Sequence, residues 1–230
     1  GNSIISPDGQ KILIKYFDKL SIYDMSNNKL IIFKGKHDQI ITFYEFSKNS
    51  KKVISAGWDG KIKLWDASTG NILQTFNNKS NTINSKLISD DKYLVSIGAD
   101  GLYKLWDVNS RMLLYSHLEL IGGSGMDCDY ITFTPDNYYM CSKGALKSVH
   151  FVIGKKVYLF DQFDLKFNRP DLVLKQYPDP DKNLISAYYM AYQKRLKKLN
   201  FSEELLSNEL HIQEVEIISK NNYSYLASSK

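Results

Sequence analysis

The feature that most constrains this chain is a repeat with a period of about 42 residues. Three segments align without gaps: Ser21-Ile22-Tyr23-Asp24, Lys63-Leu64-Trp65-Asp66 and Lys104-Leu105-Trp106-Asp107. Their aromatic–Asp pairs lie 42 and 41 residues apart. A second series keeps step with the first. It comprises Ser6-Pro7-Asp8, Ser47-Lys48-Asn49, Ser89-Asp90-Asp91 and Thr134-Pro135-Asp136, at intervals of 41, 42 and 45. Two anchors sharing one period define repeated units, and a repeated unit buries its apolar face against its neighbour rather than within itself.

Each unit divides into four short alternating runs. In the best-kept unit these are Ile40–Glu45, Lys52–Ala56, Lys61–Trp65 and Ile72–Phe76. Turn residues separate them at 47–50, Trp58-Asp59-Gly60 and Ser68-Thr69-Gly70. The Asp59-Gly60 and Asp100-Gly101 pairs mark tight turns between adjacent strands, because Gly adopts positive φ without steric cost. Four strands with tight turns, repeated at this period, are the pattern of β-propeller blades.

Here the sequence resembles the WD40 family. The family's blade-stabilising set runs from a His before the first strand, through a Ser on the second and an Asp in the next turn, to a Trp on the third. His37, Ser55, Asp59 and Trp65 occupy those positions. A buried indole N–H needs an acceptor, and His with Asp can relay hydrogen bonds across a blade without leaving a donor unpaired. The following unit keeps Ser96, Asp100 and Trp106 but has Asn78-Lys79 in place of the His, so its network is expected to be incomplete. The first unit carries Tyr23 at the Trp position. A Ser/His/Asp catalytic set is the competing reading of these residues. They recur with the blade period, as a structural group must and a nucleophile need not.

The expected fold is all-β, a WD40-type propeller arc of about four blades over residues 1–161, followed by a small, mostly helical segment over 162–230. The first blade supplies three strands (Lys11–Tyr16, Leu20–Tyr23, Leu30–Phe33), and two full blades follow it. A degenerate fourth comprises Asp129–Phe133, Tyr138–Ser142, Leu146–Val152 and Lys156–Phe160. An isolated arc leaves open sheet edges, so the expectation is a piece of a larger propeller with further blades upstream. The Gly122, Gly123 and Gly125 loop over 121–127 lacks phosphate-cradle spacing and reads as a loop before the fourth blade.

After Asp161 the period stops. Pro178 and Pro180 break the chain, Asp181 can cap a helix over 182–199, and Asn200 can end it. Leu184, Ile185, Tyr188, Tyr192, Leu196 and Leu199 share one face, read as packing against the propeller. Lys194, Arg195, Lys197 and Lys198 near the C-terminal end read as a solvated helix terminus. Ser202-Glu203-Glu204 starts a second helix, and residues 211–219 read as a strand. The runs Phe163–Asp171 and Ala187–Lys198 resemble the connector of bacterial proteins in which WD repeats precede a caspase-like peptidase domain. That resemblance implies a link to an effector domain beyond Lys230 and places no catalytic pair within this chain.

Composition narrows the function. The net charge is +5, and residues 161–230 hold ten basic and ten acidic side chains, so the excess is spread over the repeats. That distribution points to solvated faces rather than a nucleic-acid footprint. Cys128 and Cys141 are too few for a disulfide scaffold or a Cys-rich metal site and suit a cytoplasmic setting. No apolar run reaches the roughly 18–20 residues of a membrane span. The four His are scattered, no cofactor or small-molecule substrate is expected, and the expectation is a non-catalytic module binding a protein partner on its face or rim.

Overall fold

The alternating runs of the repeats fold as antiparallel strands joined by tight turns. The computed structural model describes residues 3–120, 129–147, 149–153, 156–159, 163–208, 216–219 and 224–225. The chain forms two compact units, residues 1–112 and 113–230. The boundary expected from the sequence, at 161/162, the Gly-rich loop at 121–127, Cys128, His211 and the first half of the 211–219 strand lie outside the described residues.

In the first unit, β1 (Ser3–Ile5), β2 (Lys11–Tyr16), β3 (Lys19–Asp24) and β4 (Lys29–Ile32) pair in chain order. β1 supplies a fourth strand beyond the three read from the sequence, placing Ile4 opposite Leu13. With three residues it is too short to display alternation. The second sheet contains β5 (Ile41–Phe46), β6 (Lys52–Gly57), β7 (Lys61–Asp66) and β8 (Ile72–Asn77), again in chain order. β9 (Thr82–Ile88), β10 (Tyr93–Gly98) and β11 (Tyr103–Asp107) repeat the arrangement. Val53 faces Trp65 in the second sheet, as Leu94 faces Trp106 in the third.

One backbone feature repeats with the blades. The residue five places before the second-strand Ser position is left-handed in each: Gly9 (φ 72), Ser50 (φ 58), Asp91 (φ 64) and Asn137 (φ 67). In the second blade the turn is closed by Ser47, whose Oγ donates to Asn49 Oδ1 (2.8 Å) and accepts the Lys52 N–H (3.0 Å). The first blade matches it with Ser6 and Asp8 (2.6 Å). The third departs from this pattern. Ser89 and Asp90 are themselves left-handed (φ 51 and 52). Ser89 stands seven residues before Ser96, where Ser47 stands eight before Ser55. Ser85 pairs with Ser96 as Tyr44 pairs with Ser55, so the two turns are equal in length, Ile88 takes the place of Ser47, and Ser89 is not its structural counterpart.

Alternation decides which side chains meet between the first two sheets. Leu13, Leu20 and Ile22 project from β2 and β3 into a cluster with Phe33, Ile41, Phe46, Val53, Trp65 and Ala67. The Phe33 ring lies 5.0 Å from Trp65, and Phe76 lies 5.9 Å from Trp106, so each Trp packs on a Phe that precedes its own blade.

The second unit begins with β12 (Leu113–Leu120), β13 (Asp129–Phe133) and β14 (Tyr139–Cys141), paired antiparallel in that order. A 3-10 turn, Ala145–Lys147, precedes β15 (Val149–Ile153) and β16 (Lys156–Leu159). The four runs expected to form one degenerate blade are divided between two sheets. β15 pairs with β16 on one side and with β17 (Glu216–Ser219) on the other, while Tyr139 of β14 makes a parallel bridge to Asn168. This stretch keeps Ser142-x-Gly144 but not the Asp-Gly turn that returns the chain in the two blades before it. β18 (Ser224–Tyr225) completes the second sheet.

Helices α1 (Asp164–Phe167), α2 (Pro170–Leu174), α3 (Lys182–Lys198) and α4 (Glu203–Asn208) form the helical segment. The Asp181 side chain accepts from the N–H groups of Asn183 (2.9 Å) and Leu184 (3.2 Å), and Asn200 is left-handed (φ 58) after the last turn, so both ends of α3 stop where their residues dictate. The apolar stripe of α3 is only partly covered. Tyr192 and Leu196 are buried, whereas Leu184, Tyr188 and Leu199 are exposed. Phe151, Phe163, Phe167 and Tyr139 form an aromatic core, with ring centroids 5.3 to 6.3 Å apart.

Leu13 is fully buried between the first two sheets. Leu13→Ala is expected to lower unfolding stability by about 3 kcal/mol, read as a lower midpoint in a urea titration at unchanged slope.

Candidate functional site

The described polar chemistry of the second blade converges on one buried chain of hydrogen bonds. Trp65 sits on β7 with its ring buried, so its indole N–H must find an acceptor inside the blade. It donates to Ser55 Oγ on β6 at 2.8 Å. Ser55 Oγ lies 2.8 Å from His37 Nε2, and His37 Nδ1 lies 3.0 Å from both oxygens of Asp59. A carboxylate only accepts, so Nδ1 carries the proton, Nε2 accepts, and the Ser55 hydroxyl donates to it. Asp59 also takes the N–H groups of Asp38 and Lys61, each at 3.0 Å. The set ties together two strands, the loop before β5 and the turn after β6.

Gly57 is part of this geometry. A Cβ there would stand 2.9 Å from both His37 Nδ1 and Asp59 Oδ1 and 3.1 Å from the Ile40 carbonyl, so a side chain would force the pair apart. Gly98 holds the same place beneath Asn78 and Asp100 in the next blade.

Burial sets the charge state. Desolvation pulls His37 below the ordinary imidazole value, against the opposing pull of Asp59, so the ring is neutral near pH 7. Burial alone would raise Asp59. The Asp38 N–H, His37 and the Lys61 N–H outweigh it and hold the carboxyl below the ordinary range. Lys63 donates to the Lys36 carbonyl and lies 5.8 Å over the Trp65 ring, and burial lowers its affinity for a proton.

The next blade reaches the same end by different residues. Trp106 donates to Ser96 Oγ at 3.0 Å, and Ser96 donates to Asn78 Oδ1 at 3.3 Å. Asn78 is fully buried, 41 residues after His37, and its amide donates to Thr82 Oγ1 at 3.2 Å. An amide carries both a donor and an acceptor, so it can terminate the relay that an imidazole passes on. Asp100 accepts the Leu102 N–H (3.2 Å) and pairs with buried Lys104 (3.5 Å), which also donates to the Asn78 carbonyl. The sequence places Asn78 at the His position. What it does not show is that Asn78 and Lys104 rebuild the network, with Ser80 Oγ accepting the Asp100 N–H at 3.2 Å. In the second unit the counterpart Ser142 donates to Asp129 Oδ1 (2.6 Å) and accepts the Tyr130 N–H (3.0 Å).

The order Asp59–His37–Ser55 has the connectivity of an acyl-transfer triad. Its setting removes that chemistry. Ser55 and His37 have no exposed surface, and the Ser55 oxygen is already occupied by the indole. A substrate carbonyl has no route to a hydroxyl sealed between β-strands. Among the described residues no group of three or more His, Cys, Asp or Glu is placed to hold a metal. Cys141 is a free thiol, pushed up to about 11 by burial.

A second polar knot lies in the helical segment, where sequence reasoning placed only a compact run. Tyr139 donates to Asp164 (2.8 Å), and Arg195 donates to the same carboxylate (2.8 Å) and to the Asn168 carbonyl (3.1 Å). Arg195 therefore departs from the expected solvated helix end. Arg169 makes a two-pronged pair with buried Asp171 (2.9 and 2.8 Å) and lies 4.0 Å over the Tyr192 ring. Apart from the Arg169–Asp171 pair, these contacts bind residues far apart in sequence and leave no periodic signal.

Antiparallel strands that recur in sheets at a fixed period, two of the repeats latched by a buried Trp–Ser hydrogen bond, define a blade-repeat protein. Residues 27–66 match the family model described as WD40: WD domain, G-beta repeat. The chain carries a WD40 repeat and is mostly β, with a small helical C-terminal segment. Among known proteins it is similar to Periodic tryptophan protein 2 of Saccharomyces cerevisiae, 32% identical over 79 residues, covering 34% of this chain and 9% of the relative. It is also similar to WD repeat-containing protein 89 homolog of Dictyostelium discoideum, 30% identical over 88 residues, 38% of this chain and 23% of the relative. A match to WD repeat-containing protein 1 of Gallus gallus, 30% identical over 86 residues, covers 36% and 14%. The matched stretch thus spans less than a quarter of each of these relatives. Nothing in the comparisons supports the caspase-associated connector. No helix among the described residues is long and apolar enough to cross a membrane.

Because unfolded histidine and carboxylate bind protons more readily than buried His37 and Asp59, their contribution to stability is present above about pH 6.5 and declines as pH falls toward the folded values. His37→Ala is expected to cost about 2 kcal/mol at pH 7, since it strands the Ser55 hydroxyl and Asp59. His37→Asn, copying the next blade, is expected to cost less and to flatten the slope between pH 6.5 and 5. Urea unfolding at a series of pH values reads both.

Proposed function

We propose that this chain is a non-catalytic interaction module, a protein-binding scaffold or sensor within a larger multidomain protein of the cytoplasm. The observation that carries the reading is the closure of the His37–Ser55–Asp59–Trp65 set on itself. We assign these residues, with Ser96, Asp100 and Trp106, a structural role as blade latches. With the latches buried, the chemistry that differs from blade to blade lies in the exposed turns, where rigid scaffolds carry recognition. WD40 domains generally bind proteins, which supports the same reading.

The resemblance of residues 163–171 and 187–198 to the connector of caspase-like effectors extends the proposal to regulation of a downstream peptidase. Its support is those residues alone. The net charge of +5 favours one further reading, an acidic or nucleic-acid partner held on the repeats.

Crosslinking and affinity capture with the parent protein test the module directly. Deleting residues 1–160 is expected to abolish partner capture, and capture that survives the deletion would overturn the proposal. Capture of nucleic acid that collapses between about 50 and 200 mM salt would select the second reading.

A further inference from the structure

On the rim of the first two blades, four apolar side chains stand in solvent beside one another. Tyr16 is 70% exposed, Phe17 60%, Ile40 38% and Trp58 54%. Backbone hydrogen bonds fix their adjacency. The Ile41 N–H donates to the Phe17 carbonyl at 2.9 Å, and the Trp58 N–H donates to the Ile40 carbonyl at 3.0 Å. The Tyr16 and Phe17 rings meet edge to face at 4.9 Å.

The fold does not require these side chains. In the next blade the Ala99 N–H donates to the Asn81 carbonyl at 2.8 Å, the same backbone contact, with Ala where Trp58 stands and Asn where Ile40 stands. The turn therefore closes as well without an aromatic. Trp65 and Trp106 donate their indoles inside their blades, whereas the Trp58 ring is in solvent. A cluster of large apolar groups that the fold does not use marks a surface for a partner, and Trp and Tyr dominate the energetics of such surfaces.

The charges around the rim identify the partner. Lys15 donates to the Ile41 carbonyl (3.0 Å), Lys36 pairs with Asp18 (3.3 Å), Lys61 pairs with Asp38, and Lys63 reaches the Lys36 carbonyl. Lys63 is buried and offsets the charge that neutral His37 leaves on Asp59, so with Lys19 four lysines remain against Asp18 and Asp38. The rim is cationic with an apolar centre. Asp18 and Asp38 interrupt the cationic field at the surface, and Asp38 is largely exposed. A continuous phosphate backbone would have to lie against those carboxylates, whereas a peptide can place its own carboxylates selectively on the lysines.

We infer that the Tyr16–Phe17–Ile40–Trp58 rim docks an acidic peptide segment of another protein, seating one bulky apolar side chain on the rings with carboxylates on the flanking lysines. The inference rests on the interaction-module reading and names the class of partner for it.

Panning a displayed library of random dodecapeptides on the intact chain, with oligouridine as a nucleic-acid probe, tests it. Selected peptides are expected to carry an aromatic or large aliphatic residue flanked by Asp or Glu. Trp58→Ala, with an unchanged thermal midpoint, is expected to weaken a selected peptide roughly ten-fold or more. The double variant Lys36→Ser, Lys61→Ser is expected to weaken it as well, and to reduce the salt dependence. Acidic peptides bound equally well by Trp58→Ala overturn the rim while leaving the interaction module standing. Basic-flanked peptides, or no enrichment at all, overturn it too. Oligouridine binding lost in Trp58→Ala replaces it with a nucleic-acid surface. Failure of the module itself reads out separately, as partner capture that survives deletion of residues 1–160.

Discussion

A buried indole N–H has to be accepted by something, and that requirement organises the second blade. Trp65 fills the space behind Phe33, and its nitrogen meets Ser55 on the neighbouring strand. Once Ser55 accepts that bond, its own proton needs an acceptor, which His37 provides, and the far side of the imidazole then needs Asp59. Each partner comes from a different segment. Satisfying one donor therefore fixes the register of two strands and the path of two connections. An unpaired buried polar group costs about 1–3 kcal/mol, so the chain of bonds acts as a latch closed only in the native arrangement.

The requirement is for an acceptor, not for a particular residue. In the next blade Asn78 ends the relay, and Lys104 with Asp100 replaces the imidazole–carboxylate contact. Further along, Ser142 survives with Asp129 as its acceptor. There the Asp-Gly turn is missing, a 3-10 turn takes its place, and the strands on either side belong to different sheets. The first blade turns at Phe17-Asp18 without a Gly, so the missing Asp-Gly pair removes a strong reversal signal here but does not by itself divide the strands.

The helical segment follows a different logic. The ends of α3 are local, set by Asp181 and Asn200, and both are legible from the residues themselves. Its burial is not. Tyr192 and Leu196 are covered while Leu184 and Tyr188 on the same face are exposed. Arg195 turns inward because Asp164 and the Asn168 carbonyl offer it three bonds. Helical periodicity identifies a face that can be buried, and only the neighbouring elements determine how far along the helix that burial extends.

The sequence by itself determined the strand runs of the repeats, the tight turns and the positions where His37, Ser55, Asp59 and Trp65 would stand. All of these are local or periodic: a side-chain alternation of two, an Asp-Gly turn and a period of about 42 residues. Tertiary structure alone decided that Ser3–Ile5 adds a strand, that Asn78 and Lys104 complete the second network, that Ile88 rather than Ser89 takes the Ser47 place, and that Tyr139, Asp164 and Arg195 meet. The physical reason is the same in each case. Those outcomes depend on a partner brought close through space, and a partner distant along the chain leaves no period or spacing in the sequence.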